Sequence, residues 1–338
     1  MDNITHSLTG LAIARTGLNR ISPRATLLLI LSANAPDLDI VGAFQGPLRY
    51  LEVHRGYSHS ILCLPLLAML PVLIVAGIYR RKLPWFKAWT LCCIGVFSHL
   101  LLDLTNTYGV RLLLPFSSRW FHLDLNSLYD ACIMGALVFA ALWPHFARLV
   151  TREIGARTPS GRGTAILALL FLVLFDGARA TLHQQAIAEL QARLYDDSPP
   201  VQAAALPESF NPFRWTGIVE STGAYRVMNV NTVGEFNSDA ARIFYKPPQV
   251  PEIENAKGTE AFRYFQYFAR FPVWSNEPLM MQDGSRGTRI ELTDLRFGVP
   301  GAGSFHCIAI ENSKGQVLRS WFRVGAQSDL ERDGGQRR

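Results

Sequence analysis

The sequence predicts an integral-membrane α-helical bundle of four to six membrane helices, followed by a β-rich soluble C-terminal domain. Three observations carry this. The 338-residue chain is 49% hydrophobic and only 18% charged, whereas a soluble domain carries about 25% charge. Apolar runs fill most of 1–182, while 200–325 reads as ordinary soluble sequence. Short basic clusters sit between the apolar runs, where they act as orientation signals. The formal net charge of +6 therefore belongs to membrane loops and gives no reason to expect a nucleic-acid partner.

Taken in order, 5–18 is a short apolar helix broken by Gly10 and Gly17. There is no basic n-region before it, and Asp2 is acidic, so no secretory signal is expected and His6 should be retained. The run 25–44 is interrupted by "NAPDLD". Pro36 lacks a backbone donor and disfavours the α region at Ala35. A helix over 25–35 and then a break carrying Asp37 and Asp39 are expected. Four clearer spans follow at 61–79, 88–104, 128–147 and 164–182, each near the roughly 20 residues that cross a bilayer.

The charges orient these spans. Arg15, Arg20 and Arg24 fall in one connection, Arg80, Arg81, Lys82 and Lys87 in a second, and Arg148, Arg152, Arg157 and Arg162 in a third. The positive-inside rule makes all three cytoplasmic. The opposite ends then carry His6, Asp37, Asp39, His54, His59, His99, Asp103 and Asp130. Arg49, Arg55, Arg111 and Arg119 are exceptions on that side. The reading is a multi-pass protein of a bacterial-type cytoplasmic (inner) membrane, with its polar site and C-terminal domain on the non-cytoplasmic face. Residues 1–182 form the membrane domain and 183–204 a helical exit and linker. A β-rich domain covers 205–325, with strand-like runs such as "RWTGIVES", "AYRVMNV" and "FHCIAIEN" and a helix at 258–270, before a disordered tail at 326–338. The five cysteines show no CxxC and no disulfide framework.

The chemistry lies in four short stretches. In "FSHLLLDLTN", His99 and Asp103 are four apart and share one helix face. Ionisable groups in so apolar a helix line a cavity or pair up. In "NAPDLD", the helix break lets Asp37, Asp39 or both turn inward. In "HRGYSHS", a turn at Gly56 separates His54 from His59, and Arg55 suits bidentate phosphate recognition. His6 stands in "DNITHSLTG". Together, His6, Asp37, His54 or His59, His99 and Asp103 make a mixed nitrogen and oxygen ligand set. Imidazole and carboxylate suit zinc, manganese or iron, and there are enough donors for more than one ion. Asp130 is a weaker candidate, either a ligand neighbour or a helix N-terminal carboxylate. Asp176 and Arg179 are placed to form an ion pair, and Trp120, Phe121 and His122 to form an interfacial aromatic belt.

An N-terminal His, "PDLD", "HRGYSHS" and "SHLLLDLTNTYGVRLLLP", in that order, resemble the YdjM-type family of membrane-bound metal-dependent hydrolases. The likeness is greatest to a longer branch with a soluble C-terminal domain. That family is thought to be distantly related to the helical zinc enzymes of the phospholipase C and P1-type nuclease group. The resemblance implies His6, Asp37, His59, His99 and Asp103 as metal ligands. It implies His54 and Arg55 as ligand or substrate contacts, with Asp39 joining them in the catalytic set. It further implies one to three divalent ions, zinc foremost, and water activated on a phosphoester of a phospholipid or envelope substrate. The tryptophan-led N-terminus of the soluble enzymes is absent here, a departure that bears on the third of these ions. Two other readings use the same residues: a metal or small-solute transporter, and an envelope scaffold with a closed structural metal site.

Overall fold

The computed structural model describes residues 1–79, 83–153, 160–234, 236, 240–248, 250–281 and 283–325. The expected tail at 326–338, the basic residues Arg80, Arg81 and Lys82, and Arg157 lie outside the described residues.

The first helix, α1 (Asn3–Arg15), starts at an N-cap. The Asp2 carboxylate accepts from the backbone of Ile4 and Thr5, both at 3.0 Å, and so satisfies two donors that a helix start leaves free. Its 13 residues rise about 20 Å, short of the roughly 30 Å hydrocarbon core. The second helix, α2 (Ala25–Ser32), leads into a 3₁₀ helix at Pro36–Gln45. Here the structure corrects the expectation from Pro36. Ala35 stays in the right-handed helical region, and the chain tightens rather than opening out. Proline at a first helical position loses a donor that has no partner there in any case.

After α3 (Pro47–Val53) the chain turns sharply through "HRGYSHS" into a short 3₁₀ turn at Tyr57–His59. Arg55 takes a left-handed conformation, φ 54°, which a side chain rarely adopts outside constrained sites. The apolar run expected to span from 61 is broken: a turn, α4 (Leu64–Leu67), a kink at Ala68, then α5 (Met69–Tyr79). Among the described residues, three helices are long and apolar enough to cross a membrane. These are α6 (Trp85–Leu104), α7 (Ala131–Glu153) over Ala131–Leu149, and α8 (Arg162–Gln191). The count rises to five if each of two bent pairs is one span, with bends of 47° and 92°.

Close backbone approach sets the bundle. A Cβ on Gly10 would sit 2.7 Å from the Leu29 carbonyl oxygen. A Cβ on Gly95 would sit 3.0 Å from that same oxygen and would run into Ser32 Oγ. The absence of both side chains lets α1 and α6 press against α2. Gly10 is one turn after His6, and Gly95 one turn before His99. Farther down, Pro144 interrupts the hydrogen-bond ladder of α7. The Arg15 guanidinium donates to the carbonyls of Ala140 (3.1 Å) and Ala141 (2.9 Å), supplying the donor that Pro144 cannot. The basic turns gather at this end: the Arg162 guanidinium lies about 3.8 Å from where a Gly17 Cβ would stand, and Arg24 sits over the Tyr79 ring.

The C-terminal domain is two antiparallel four-stranded meanders. The first contains β1 (Gln202–Pro207), β2 (Arg214–Glu220), β3 (Ala224–Asn231) and β4 (Arg242–Tyr245). The second contains β5 (Pro272–Met280), β6 (Arg286–Asp294), β7 (Phe305–Asn312) and β8 (Val317–Val324). Between them lie α9 (Pro251–Lys257) and α10 (Glu260–Phe268). Helix α10 buries Phe262, Phe265 and Phe268 against the second sheet. The two sheets meet through Leu206, Ile218, Phe271 and Leu295.

This domain is docked on the membrane part, not tethered beside it. Leu51 of α3 is buried in the α10 core. Ala186 and Leu190 of α8 pack with Trp215 under the first sheet, so α8 continues unbroken into the β domain's core. The loop after α6 is held by Asp124, which accepts from Arg270 and lies 3.2 Å from His122 Nδ1. Burial alone would raise the Asp124 carboxyl; the His122 and Arg270 contacts outweigh it and hold it below the usual carboxylate range. Trp120 also lies in this joint, edge-on to Phe268 and under the Arg111 guanidinium. The expected membrane-surface role of Trp120 is therefore replaced by a domain-packing one.

The helix contact at Gly95 makes a direct prediction. Gly95→Ala adds a methyl group against Ser32 and the Leu29 carbonyl. Such overpacking costs about 1–3 kcal/mol, and a lowered thermal midpoint in detergent should report it. An unchanged midpoint would mean that α2 and α6 do not depend on this approach.

Candidate metal centre

The polar groups singled out in the sequence converge at the end of the bundle opposite the basic turns. His59, His99 and Asp103 are fully buried, and Asp37 is 14% exposed at its side chain. Helix α6 presents His99 and Asp103 on one face, the turn after α3 presents His59, and the 3₁₀ helix after α2 presents Asp37. One donor atom from each lies within 4.8 Å of every other.

The spacing is that of a coordination shell. His59 Nε2 and His99 Nε2 are 3.1 Å apart. Each is 3.6 Å from Asp37 Oδ1. Asp103 Oδ2 is 3.3 Å from His59 Nε2 and 3.4 Å from His99 Nε2. Donors placed tetrahedrally about 2.0–2.1 Å from one centre are roughly 3.3–3.4 Å from each other. The second ring atoms support this. His99 Nδ1 is 2.7 Å from the Ala33 carbonyl, so Nδ1–H donates there and leaves a lone pair on Nε2. His59 Nδ1 faces Ser58 Oγ at 2.9 Å and Asp39 Oδ2 at 3.4 Å. With Nδ1–H turned to that oxygen pair, a second lone pair meets the first. Two imidazole lone pairs and two carboxylate oxygens would repel each other without a cation among them. The donors fit a divalent ion of the zinc, manganese or iron type, and none of them is a thiolate.

His6 borders this group. Its ring stacks on His99 with centroids 3.8 Å apart, and Nε2 stands 3.3 Å from Asp103 Oδ1. Neither ring nitrogen of His6 has a hydrogen-bond partner although the residue is buried. Buried polar atoms without partners are rare, and a ligand atom is one reason for them. The Met1 amine also lies against Asp103 Oδ1.

Asp39 and His54 belong to a neighbouring arrangement. Asp37, Asp39 and His54 form a second set of donors close enough to share an ion. The Asp39 carboxylate also organises the turn. It accepts from Ser58 Oγ (2.8 Å) and Arg55 N (3.0 Å), and lies 2.9 Å from His54 Nδ1. Its hold on the Arg55 amide offsets the left-handed backbone there. Arg55 Nε and Nη2 reach Asp103 at 3.1 and 3.2 Å, Nη1 donates to the Gly109 carbonyl, and the guanidinium lies over the Tyr108 ring. Ser58, Tyr108 and the Ala33 carbonyl were not singled out from sequence. Ser58, inside "HRGYSHS", and Tyr108, inside "SHLLLDLTNTYGVRLLLP", sit in stretches that could have drawn attention to them.

Asp130 and Asp176 stand apart from this centre. Asp130 caps the start of α7, accepting from Cys132 N and Ile133 N, which is the helix N-terminal role. Asp176 accepts from Asn126 at 2.7 Å. Arg179 donates to the carbonyls of Leu125 and Pro212 and stacks on Trp215; it joins α8 to the β domain rather than pairing with Asp176.

Residues 1–186, which contain every donor described above, match the model of the YdjM inner membrane protein family. The chain belongs to this family. An uncharacterized protein, YfhP of Bacillus subtilis (strain 168), is 29% identical over 156 residues, covering 42% of this chain and 46% of YfhP. The match thus spans less than half of that relative. No solved structure matches the chain. The YdjM match and the apolar helices make this an inner membrane protein, and the β domain lies beyond the matched residues.

The donor geometry predicts bound metal in this YdjM-family protein. Purified in detergent without chelator, it should carry at least one transition-metal ion per chain by elemental analysis. His99→Ala and the isosteric Asp103→Asn should each lose it. Wild-type protein that neither carries metal nor takes up added zinc or manganese would contradict the site.

Proposed function

We propose that the protein is a membrane-bound, metal-dependent hydrolase that cleaves a phosphoester, of a lipid or other envelope substrate, at the non-cytoplasmic face of the inner membrane. The observation that carries this reading is the placement of the four-donor cluster beside a cavity. Asp37, His54 and Arg55 line an open cavity of about 770 Å³. A structural site is closed on all sides by protein, whereas a catalytic one keeps access for water and substrate. A divalent ion held by Asp37, His59, His99 and Asp103 would supply Lewis acidity and an acidified water.

The chain's own residues take the remaining roles. Arg55 is held by Asp103 and by the Tyr108 ring, so its planar fork meets an anionic phosphoryl group already oriented. Such preorganised charge is most effective where water is largely excluded. Asp39 on His54 Nδ1 fixes that ring and leaves Nε2 to exchange a proton with the leaving group or water. His6 braces His99 by stacking and lies against Asp103. The sidedness rests on the basic turns. Arg15, Arg24 and Arg162 gather at the end of the bundle away from the site, and basic residues favour the cytoplasmic side. A transit site for a transported ion would need donors along a path through the membrane; the clustered donors here are confined to one end.

The test is turnover of a phosphodiester panel, including bis(p-nitrophenyl) phosphate and phospholipids, by zinc- or manganese-loaded protein. Hydrolysis should be abolished by chelator and restored by metal. Arg55→Lys should keep its metal while kcat/KM falls by about 10²-fold, the order seen on removing one charge-stabilising donor. No turnover of any member with full metal content, or an Arg55→Lys variant as active as wild type, would contradict the proposal.

A further inference from the structure

The cavity beside the metal centre is much larger than a phosphoryl group needs, and one of its walls comes from the β domain. The head end is polar: Asp37, His54 and Arg55. Asn3, Asn106, Thr107, Ser127 and Ser304 also line it, but most of the lining surface is apolar. Leu206, Phe297, Phe305 and Val324 face it from the β domain, and Ile4 and Ile40 from the membrane part. Ile4 and Ile40 are 62% and 59% exposed, so apolar surface continues from the wall to the rim.

That wall is tied directly to the head end. The Arg296 side chain is 1% exposed and paired with Asp294 at 2.8 Å. It donates to the carbonyls of Phe268 (2.7 Å), Thr107 (3.2 Å) and Tyr108 (3.4 Å). The adjacent Phe297 ring lies 4.5 Å from Phe305 and stacks on Phe268. The Tyr108 ring joins the two ends. Phe297 and Phe305 have their centroids 5.8 and 6.1 Å from it. The Arg55 guanidinium lies 4.8 Å from it, and His54 meets it edge-on at 5.4 Å. The wall is thus braced against the same residue that orients Arg55.

We propose that the β domain is the specificity element of this site. On this assignment Phe297 and Phe305 form a fixed wall against which the apolar body of an amphiphilic substrate packs while its anionic head meets Arg55 and the metal centre. This deepens the hydrolase reading and rests on it for the role of the head group. It assigns a function to a domain that lies beyond the family match. A pocket of about 300–1,000 Å³, mostly apolar with a few convergent polar groups, is the usual form for a small organic ligand. Here Asp37, His54 and Arg55 stand together in a mostly apolar lining, so the ligand that fits carries its anionic group at that place.

Equilibrium binding of two non-hydrolysable probes, methylphosphonate and butylphosphonate, tests this without turnover. The full-length, metal-loaded protein is held in lipid nanodiscs, and binding to empty discs is subtracted. Each buried methylene tightens binding by up to about fourfold, so butylphosphonate should bind at least about tenfold more tightly than methylphosphonate. Phe297→Ala and Phe305→Ala should reduce that ratio to about threefold or less. Metal content and methylphosphonate affinity should be unchanged. Because Phe297 and Phe305 also contribute to the domain core, the exposed rim variants Ile40→Ser and Val324→Ser give a second reading, each lowering the same ratio in a folded protein. Equal affinity for the two probes in wild type, no binding of either, or a ratio retained in all four variants would overturn the proposal. Chain-length-dependent binding without hydrolysis of any phosphoester would remove the hydrolase reading and leave the wall. Hydrolysis of small phosphoesters without a chain-length effect would do the reverse.

Discussion

The rest of this structure depends on one buried carboxylate. Asp103 lies fully buried in α6, an apolar helix. An ionised carboxylate in such surroundings is very costly unless it is paired and hydrogen-bonded. The chain answers with partners from four segments. Arg55 comes from the turn after α3, His6 and the Met1 amine from the start of α1, His59 from the 3₁₀ turn, and His99 from the preceding turn of α6. Each of these must reach the same point. That convergence goes with the close packing of α1 and α6 on α2 at Gly10 and Gly95, and with the left-handed residue at Arg55.

The pairing does not complete itself with protein groups alone. His6 lies against Asp103 Oδ1 and Arg55 spans both carboxylate oxygens, while His59, His99, Asp37 and Asp103 Oδ2 converge at donor-to-donor spacings of 3.1–3.6 Å. The Ala33 carbonyl sets the His99 tautomer, and Asp39 with Ser58 sets the orientation of His59. A ring of oriented acceptors is the electrostatic complement of a cation. The surrounding hydrogen bonds also make the ring rigid, which suits a site whose metal stays in place.

Much of this was legible in the sequence, because its logic is local. The four-residue spacing of His99 and Asp103 on a helix, the proline after Ala35 and the glycine in "HRGYSHS" mark ligand-bearing elements by short-range rules. The basic residues Arg15, Arg24 and Arg162 likewise mark the opposite end of the bundle. The strands of "RWTGIVES", "AYRVMNV" and "FHCIAIEN" carry enough β-branched and aromatic residues to be read directly, and appear as β2, β3 and β7. Features that depend on distant partners were not legible. Gly10 and Gly95 look like weak helix residues until Leu29 is seen against them. Trp120 looks like a membrane-surface aromatic until Phe268 is found behind it. "QAAALP" and "PVWSNEPLM" become β1 and β5 through pairing with β2 and β6, although their own composition is weak for strands. Prolines at 207, 272 and 278 lie on these two strands, each at the edge of its sheet, where a missing donor is tolerated. Arg296 is unremarkable in sequence, and its contact with Tyr108 spans almost 190 positions.

Two imidazoles and two carboxylates from these segments are close enough to surround one divalent ion. X-ray absorption at the zinc edge of the metal-loaded, detergent-purified protein tests it most directly. The occupied centre should give a nitrogen and oxygen shell at about 2.0–2.2 Å, with outer-shell scattering from two imidazole rings that diminishes in His59→Ala and His99→Ala. A shell containing sulfur, or one of water oxygens without imidazole scattering, would contradict it.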